Sequence, residues 1–94
     1  MKLRITDYGW GIDRKSGERS ESVVAEVTLD VEKVGALLPV GPARHVFKVL
    51  EIKEGAVEIF LSEKSGSVVL EPGKPYEYRP MSFDGGHFYR LELE

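Results

Sequence analysis

Residues 46–62, VFKVLEIKEGAVEIFLS, decide the fold of this chain, because two apolar runs flank the dipeptide Glu54-Gly55. Both runs are rich in Val, Ile, Phe and Leu, which favour a pleated, half-buried surface. A turn dipeptide between two such runs is typical of a β-hairpin. The chain is therefore expected to be organised around antiparallel strands.

The register of this hairpin depends on the length of its loop. An even number of loop residues pairs Leu50 with Ile59 and sets Glu51 opposite Glu58. A three-residue loop with a glycine bulge pairs Val49 with Ile59 instead. We favour the even loop, because it gives three apolar cross-strand pairs, and keep the three-residue loop as the alternative.

The rest of the chain alternates between apolar and polar residues in short segments, most clearly over 23–31 and also over 2–6, 67–71, 75–79 and 87–94. Residues 2–6 are expected at a sheet edge. Residues 31–38 hold at most one short helix, because Gly35 costs about 1 kcal/mol relative to alanine in a helix. The turn at 70–76, LEPGKPY, is similar to turns in many immunoglobulin-like and fibronectin-like sandwiches, a resemblance too short to imply a function.

These segments predict one all-β domain over residues 1–94. About seven short strands with turn signals every 8–12 residues are typical of a small antiparallel β-sandwich, immunoglobulin-like or Greek-key. A small β-barrel is the alternative.

Composition narrows the classes of function. The net charge of −3, from 16 acidic and 13 basic residues, argues against general nucleic-acid binding, which needs a basic patch. The absence of cysteine excludes thiolate nucleophiles and cysteine metal sites, and favours a reducing compartment. No signal peptide or membrane-spanning stretch is apparent. We therefore expect a soluble, cytoplasmic protein.

Catalytic and metal-binding signals are weak. His45 and His87 have no adjacent nucleophile and orienting acid, so no catalytic residues are assigned. Those histidines together with Asp7, Asp13 and Asp84 contain too few of the usual ligands for structural zinc. An enzyme would require both histidines to lie in one cleft. The expectation is a protein that is not an enzyme, with no metal and no cofactor.

The aromatic residues are the best functional lead, because most lie near the two ends of the chain. They form either a core layer, as a small sandwich commonly has, or an exposed patch that binds a partner. The residues predicted for a ligand or partner surface are Trp10, Tyr76, Tyr78, Arg79, Tyr89 and Arg90. This predicts a non-enzymatic protein-interaction or binding module, whose partner includes a second copy joined through an edge strand. The alternative is a carbohydrate-type small-ligand binder with an aromatic face.

Overall fold

The computed structural model describes residues 1–41, 45–80 and 85–94, and these form eight β-strands. The strands are β1 (Lys2–Ile12), β2 (Arg19–Asp30), β3 (Leu37–Val40), β4 (His45–Lys53), β5 (Ala56–Ser62), β6 (Gly66–Leu70), β7 (Tyr76–Tyr78) and β8 (Gly85–Leu93). In the described ranges no helix is long and apolar enough to cross a membrane.

The strands form two antiparallel sheets of four strands each. The first sheet has the order β2-β1-β8-β7 and the second has the order β3-β4-β5-β6. The chain crosses to the second sheet after β2, runs through β3 to β6 as a meander, and crosses back so that β8 lies between β7 and β1. The sheets pack face to face and stay open, so the predicted sandwich is confirmed and the barrel alternative is wrong.

The core fills the space between the sheets. Alternate residues of each strand face inward, because side chains in a strand alternate between its two faces. The core residues that are fully buried include Leu3, Ile5 and Leu91 of the first sheet and Phe47, Val49 and Ile59 of the second. Burial of each such side chain contributes roughly 1.5–3 kcal/mol, which makes this layer the main source of stability.

The predicted edge position of residues 2–6 is wrong. These residues belong to β1, which runs from Lys2 to Ile12 and pairs with β2 on one side and β8 on the other. Lys2 and Arg4 therefore do not protect a sheet edge. Polar side chains on the outer face of a central strand produce the same alternation as those of an edge strand, so alternation alone does not separate the two.

The predicted short helix near residues 31–38 is also wrong. Gly35 lies in a turn, its N–H donates to the carbonyl oxygen of Val49 at 2.7 Å, and β3 begins at Leu37. Val34 and Leu37, on either side of this turn, are exposed. Hydrogen bonds to β4 therefore replace the local bonds that a helix would have made.

The central hairpin contains both of the registers considered from its sequence. Near the turn, Glu51 pairs with Glu58 and Ile52 with Val57, as the even loop predicts. The register then shifts, and Val49 pairs with Ile59 as the three-residue loop predicts. The extra residue is Leu50, whose predicted pairing with Ile59 is wrong. A β-bulge at Leu50 keeps both Val49 and Ile52 on the inward face.

Candidate binding face

The outer face of the first sheet carries both aromatic and charged side chains. Leu3 and Ile5 of β1 point toward the core, so Thr6, Tyr8 and Trp10 belong to the opposite face. β1 occupies an inner position in the sheet and aligns these residues with others from its two neighbours. The outer face is thus formed by side chains from neighbouring strands of the β2-β1-β8-β7 sheet.

Four side chains form a row across this face, which we call the aromatic row: Arg79, Phe88, Tyr8 and Val23. Tyr8 pairs with Phe88 of β8 and with Val23 of β2. The rings of Tyr8 and Phe88 are parallel to within 6°, with centroids 4.7 Å apart. The guanidinium of Arg79 lies 4.2 Å from the centroid of Phe88. Phe88 is only 3% exposed although it faces outward, because its neighbours cover it.

Trp10 lies beside the aromatic row, toward the tip of the β1–β2 hairpin. The guanidinium of Arg19 stands 4.8 Å from the centroid of the indole ring, a cation–π contact that contributes about 0.5–1 kcal/mol at an exposed site. Arg19 also forms an ion pair with Glu21 at 2.8 Å. The position opposite Trp10 on β8 is Gly86, which leaves that side of the indole without a neighbouring side chain on the strand.

A second row, which we call the charged row, crosses the face next to the aromatic row. Thr6 of β1 pairs with Glu26 of β2 on one side and with Arg90 of β8 on the other. Among the described residues, neither Glu26 nor Arg90 has an ion-pair partner, whereas Glu77, opposite Arg90 on β7, is held by Arg79 at 3.1 Å. Thr6, Glu26 and Arg90 line a shallow polar groove that continues to Arg4 and Glu92. An acid and a base that have no ion-pair partner in the described part of the chain therefore lie on either side of one threonine.

Two of the tyrosines predicted for the partner surface lie in the core instead. Tyr78 is 6% exposed and Tyr89 is 2% exposed, and their ring centroids are 6.2 Å apart between the sheets. Phe47 packs edge-on against both rings. Successive side chains of a strand point to opposite faces, so Tyr78 and Tyr89 face inward while their sequence neighbours Arg79 and Phe88 face outward.

A buried polar pair lies on the same inner face. Asp7 is completely buried, and its Oδ1 lies 2.7 Å from Nδ1 of the partly exposed His87. Within the described part of the chain, Oδ2 of Asp7 has no hydrogen-bond partner. Burial raises the pKa of the neighbouring Tyr89 from 10.0 to about 12, and the negative charge of Asp7 adds to the rise. The pair orients the His87 ring and places a carboxyl group in the core.

His45 has partners other than the Asp7–His87 pair. Nε2 of His45 lies 3.0 Å from the carbonyl oxygen of Leu61, and its ring packs on Phe47. Asp84 and Phe83 lie outside the described residues. Across the described ranges, no group of three or more His, Asp or Glu side chains is placed to hold a metal ion.

The remaining predicted surface residues are accessible to different degrees. Arg79 and Arg90 are exposed on the outer face, and Trp10 is half-buried there. Tyr76 is 38% exposed, but it pairs with Leu91, whose side chain faces the core. Tyr76 therefore lies on the inner side of the sheet and does not join Trp10, Arg79 and Arg90 on the outer face.

Sequence reasoning missed Arg19 and Glu26, and it did not single out Tyr8 and Phe88 as a stacked pair. Arg19 lies nine residues after Trp10, and Glu26 lies 20 residues after Thr6 and 64 before Arg90. Only the pairing of β1 with both β2 and β8 brings these residues together.

Comparison with known proteins assigns the chain to no group. No family model, curated protein or solved structure matches it. Function is therefore inferred from the geometry of the outer face.

Proposed function

We propose that this protein is a non-enzymatic interaction module that binds a protein partner through the outer face of its first sheet. The observation that carries the proposal is the stacked aromatic row, with Trp10 beside it, on a face that none of the described strands covers. Val23, at the end of the row, is 59% exposed and extends the apolar surface to the edge of the sheet.

The composition of the face suits a protein partner. Tyr, Trp and Arg dominate the residues that carry binding energy in protein interfaces. Here the side chains are already held in place by stacking, with Arg79 on Phe88 and Arg19 on Trp10. Ordering such side chains otherwise costs about 0.5–1.5 kcal/mol each on binding, so a preformed arrangement favours association.

The carbohydrate-type alternative has less support. A sugar that stacks on an aromatic ring needs an open ring face. One face of Phe88 is occupied by Tyr8 and the other by Arg79, and one face of Trp10 is under Arg19. The apolar surface left open consists of ring edges, one side of Trp10 and Val23, and this spread across the face favours contact with several side chains of another protein.

A cytoplasmic location remains part of the proposal. The chain has no cysteine, so it draws no stability from an oxidising compartment.

The proposal is tested by affinity capture from an extract of the source organism, read by mass spectrometry, with two variants of matched chemistry. Trp10→Ala removes a large side chain from the proposed face. Leu37→Ala is the control, because Leu37 is 65% exposed on the outer face of the second sheet. Circular dichroism verifies that both variants fold.

We expect a captured protein, this chain itself included, that is retained with Leu37→Ala and reduced roughly tenfold with Trp10→Ala, the loss typical of a central interface aromatic. Capture that is equal with both variants, or no capture at all, would contradict the proposal.

A further inference from the structure

We infer that the partner of the outer face is a second copy of this chain, packed face to face about a two-fold axis parallel to β1. This inference rests on the proposed function and names the partner. It comes from the order of residues in the charged row and the aromatic row rather than from the apolar surface alone.

The charged row is self-complementary. Thr6 lies at its centre, with Glu26 on β2 to one side and Arg90 on β8 to the other. Neighbouring strands are about 4.8 Å apart, so the two charged positions are symmetrically placed across about 10 Å. A two-fold axis that runs along β1 over Thr6 exchanges the two sides. Each Arg90 then meets Glu26 of the second copy, which makes two reciprocal ion pairs.

The same axis also brings the aromatic rows of the two copies together. Tyr8 meets Tyr8 of the second copy, because it lies under the axis. The exposed Val23 comes over the position of Phe88 on the opposite side of Tyr8, where it contacts the side chains of Tyr8 and Arg79 that cover the Phe88 ring. One operation therefore places apolar on apolar in one row and opposite charges together in the next. Such a shared patch is the isologous interface that a two-fold dimer requires.

Two other arginines of the face already have ion-pair partners within one chain. Arg4 lies 3.1 Å from Glu92 and 3.5 Å from Glu94. Arg79 is paired with Glu77. Glu26 and Arg90, by contrast, have no ion-pair partner among the described residues and remain available to a second copy.

The charges also select the direction of the axis. An axis perpendicular to the strands would set Arg90 against Arg90 and Glu26 against Glu26, which is repulsive at interface distances. The axis parallel to β1 keeps the strands of the two copies nearly aligned. Aligned packing within about 30° is the usual arrangement of two twisted sheets that meet face to face.

The experiment is sedimentation velocity at low ionic strength on the whole chain and four variants. Glu26→Arg and Arg90→Glu each place like charges together in the proposed dimer. The double variant Glu26→Arg/Arg90→Glu restores opposite charges with the order reversed. Lys64→Glu is the matched control, because it changes the charge as much as Arg90→Glu but lies in the exposed turn between β5 and β6.

We expect the wild type, Lys64→Glu and the double variant to dimerise, and each single reversal to dissociate at a concentration at least ~10 times higher. An equimolar mixture of Glu26→Arg and Arg90→Glu should form a heterodimer, since one copy supplies two bases and the other two acids. The inference would be overturned if neither charge reversal changed the concentration at which the dimer dissociates, or if the two single variants failed to associate when mixed.

The inference and the proposed function fail separately. A monomeric wild type that still captures another protein in a Trp10-dependent way would overturn the second copy as partner and leave the interaction module standing. A monomeric wild type without any Trp10-dependent capture would overturn both.

Discussion

Asp7 and Gly41 form a contact that restricts both residues. Gly41 has a φ of +69°, in the left-handed region, and a Cβ added to it would collide with Oδ2 of Asp7. Gly41 follows β3 of the second sheet, whereas Asp7 belongs to β1 of the first. The missing side chain at position 41 therefore lets the two sheets approach over a buried carboxylate.

Gly41→Ala is expected to lower the free energy of unfolding by about 2–4 kcal/mol, because backbone strain and overpacking add. Gly66→Ala is the control, since Gly66 also has a positive φ, +73°, but an added Cβ meets nothing within 4 Å. It should cost about 1 kcal/mol, the lower end of backbone strain alone. Urea unfolding measures both, and equal losses would show that the contact with Asp7 does not matter.

Tyr89 makes stability depend on alkaline pH. The unfolded chain releases the Tyr89 proton near its ordinary pKa of 10.0, whereas burial in the folded protein raises that pKa to about 12. The folded state therefore binds more protons than the unfolded state between these values, and the free energy of unfolding should fall as pH rises from 10 to 12.

Below pH 10 Tyr89 is protonated in both states, so its contribution to the free energy of unfolding is fully present. Tyr89→Phe removes the group, so its stability measured by urea unfolding should fall less steeply over that range. Equal slopes for the wild type and the variant would contradict the raised pKa.

At the scale of the elements, the bulge at Leu50 reconciles the turn with the core. The two-residue loop fixes the pairs next to the turn, and the core requires Phe47 and Val49 to face inward farther along. These demands differ by one residue, and a one-residue slip would turn every later side chain to the wrong face. The bulge absorbs that residue.

Deletion of Leu50 should therefore preserve the fold. Glu51 stays opposite Glu58 and Val49 stays opposite Ile59 in one continuous ladder. The expected loss is about 1–2 kcal/mol, from the partly buried side chain, measured by thermal unfolding.

Deletion of Glu58 from the facing strand is the control. It turns Ile59 and the residues after it away from the core, so cooperative unfolding should disappear. A similar loss for the two deletions would show that the bulge does not set the register.

The whole molecule is elongated, with extents of 49 × 24 × 21 Å, and three of its four sheet edges are short strands. β7 has three residues, β6 has five, and β3 has four and contains Pro39. β2, with twelve residues, is the long edge. Short strands and proline limit edge-to-edge association, so β2 is the edge through which strand pairing between copies would occur.

Hydrogen exchange distinguishes the proposed face-to-face dimer from an edge-to-edge dimer through β2. In the face-to-face dimer the β2 amides that do not bond to β1 stay in contact with water. We expect them to exchange at the same rate in the dimeric wild type and in the monomeric Arg90→Glu variant. Protection of these amides that appears only in the dimer would instead indicate pairing through β2.

The sequence by itself determined the class of the fold and the inward face of most strands. Alternation at Leu3 and Ile5 and at Val57 and Ile59 predicts burial correctly, because the direction of a side chain in a strand is a local property of the backbone. The same local rule predicted both registers of the central hairpin, although it did not show that a bulge combines them.

The tertiary structure alone decided which strand is central, which tyrosines are core and which side chains form rows. Asp7 and His87 are 80 residues apart, and Glu26 and Arg90 flank Thr6 only because β1 pairs on both sides. Strand pairing between distant segments depends on how all the apolar faces are buried together. No local sequence pattern specifies this pairing, so the residues of the candidate surface could be identified only from the folded structure.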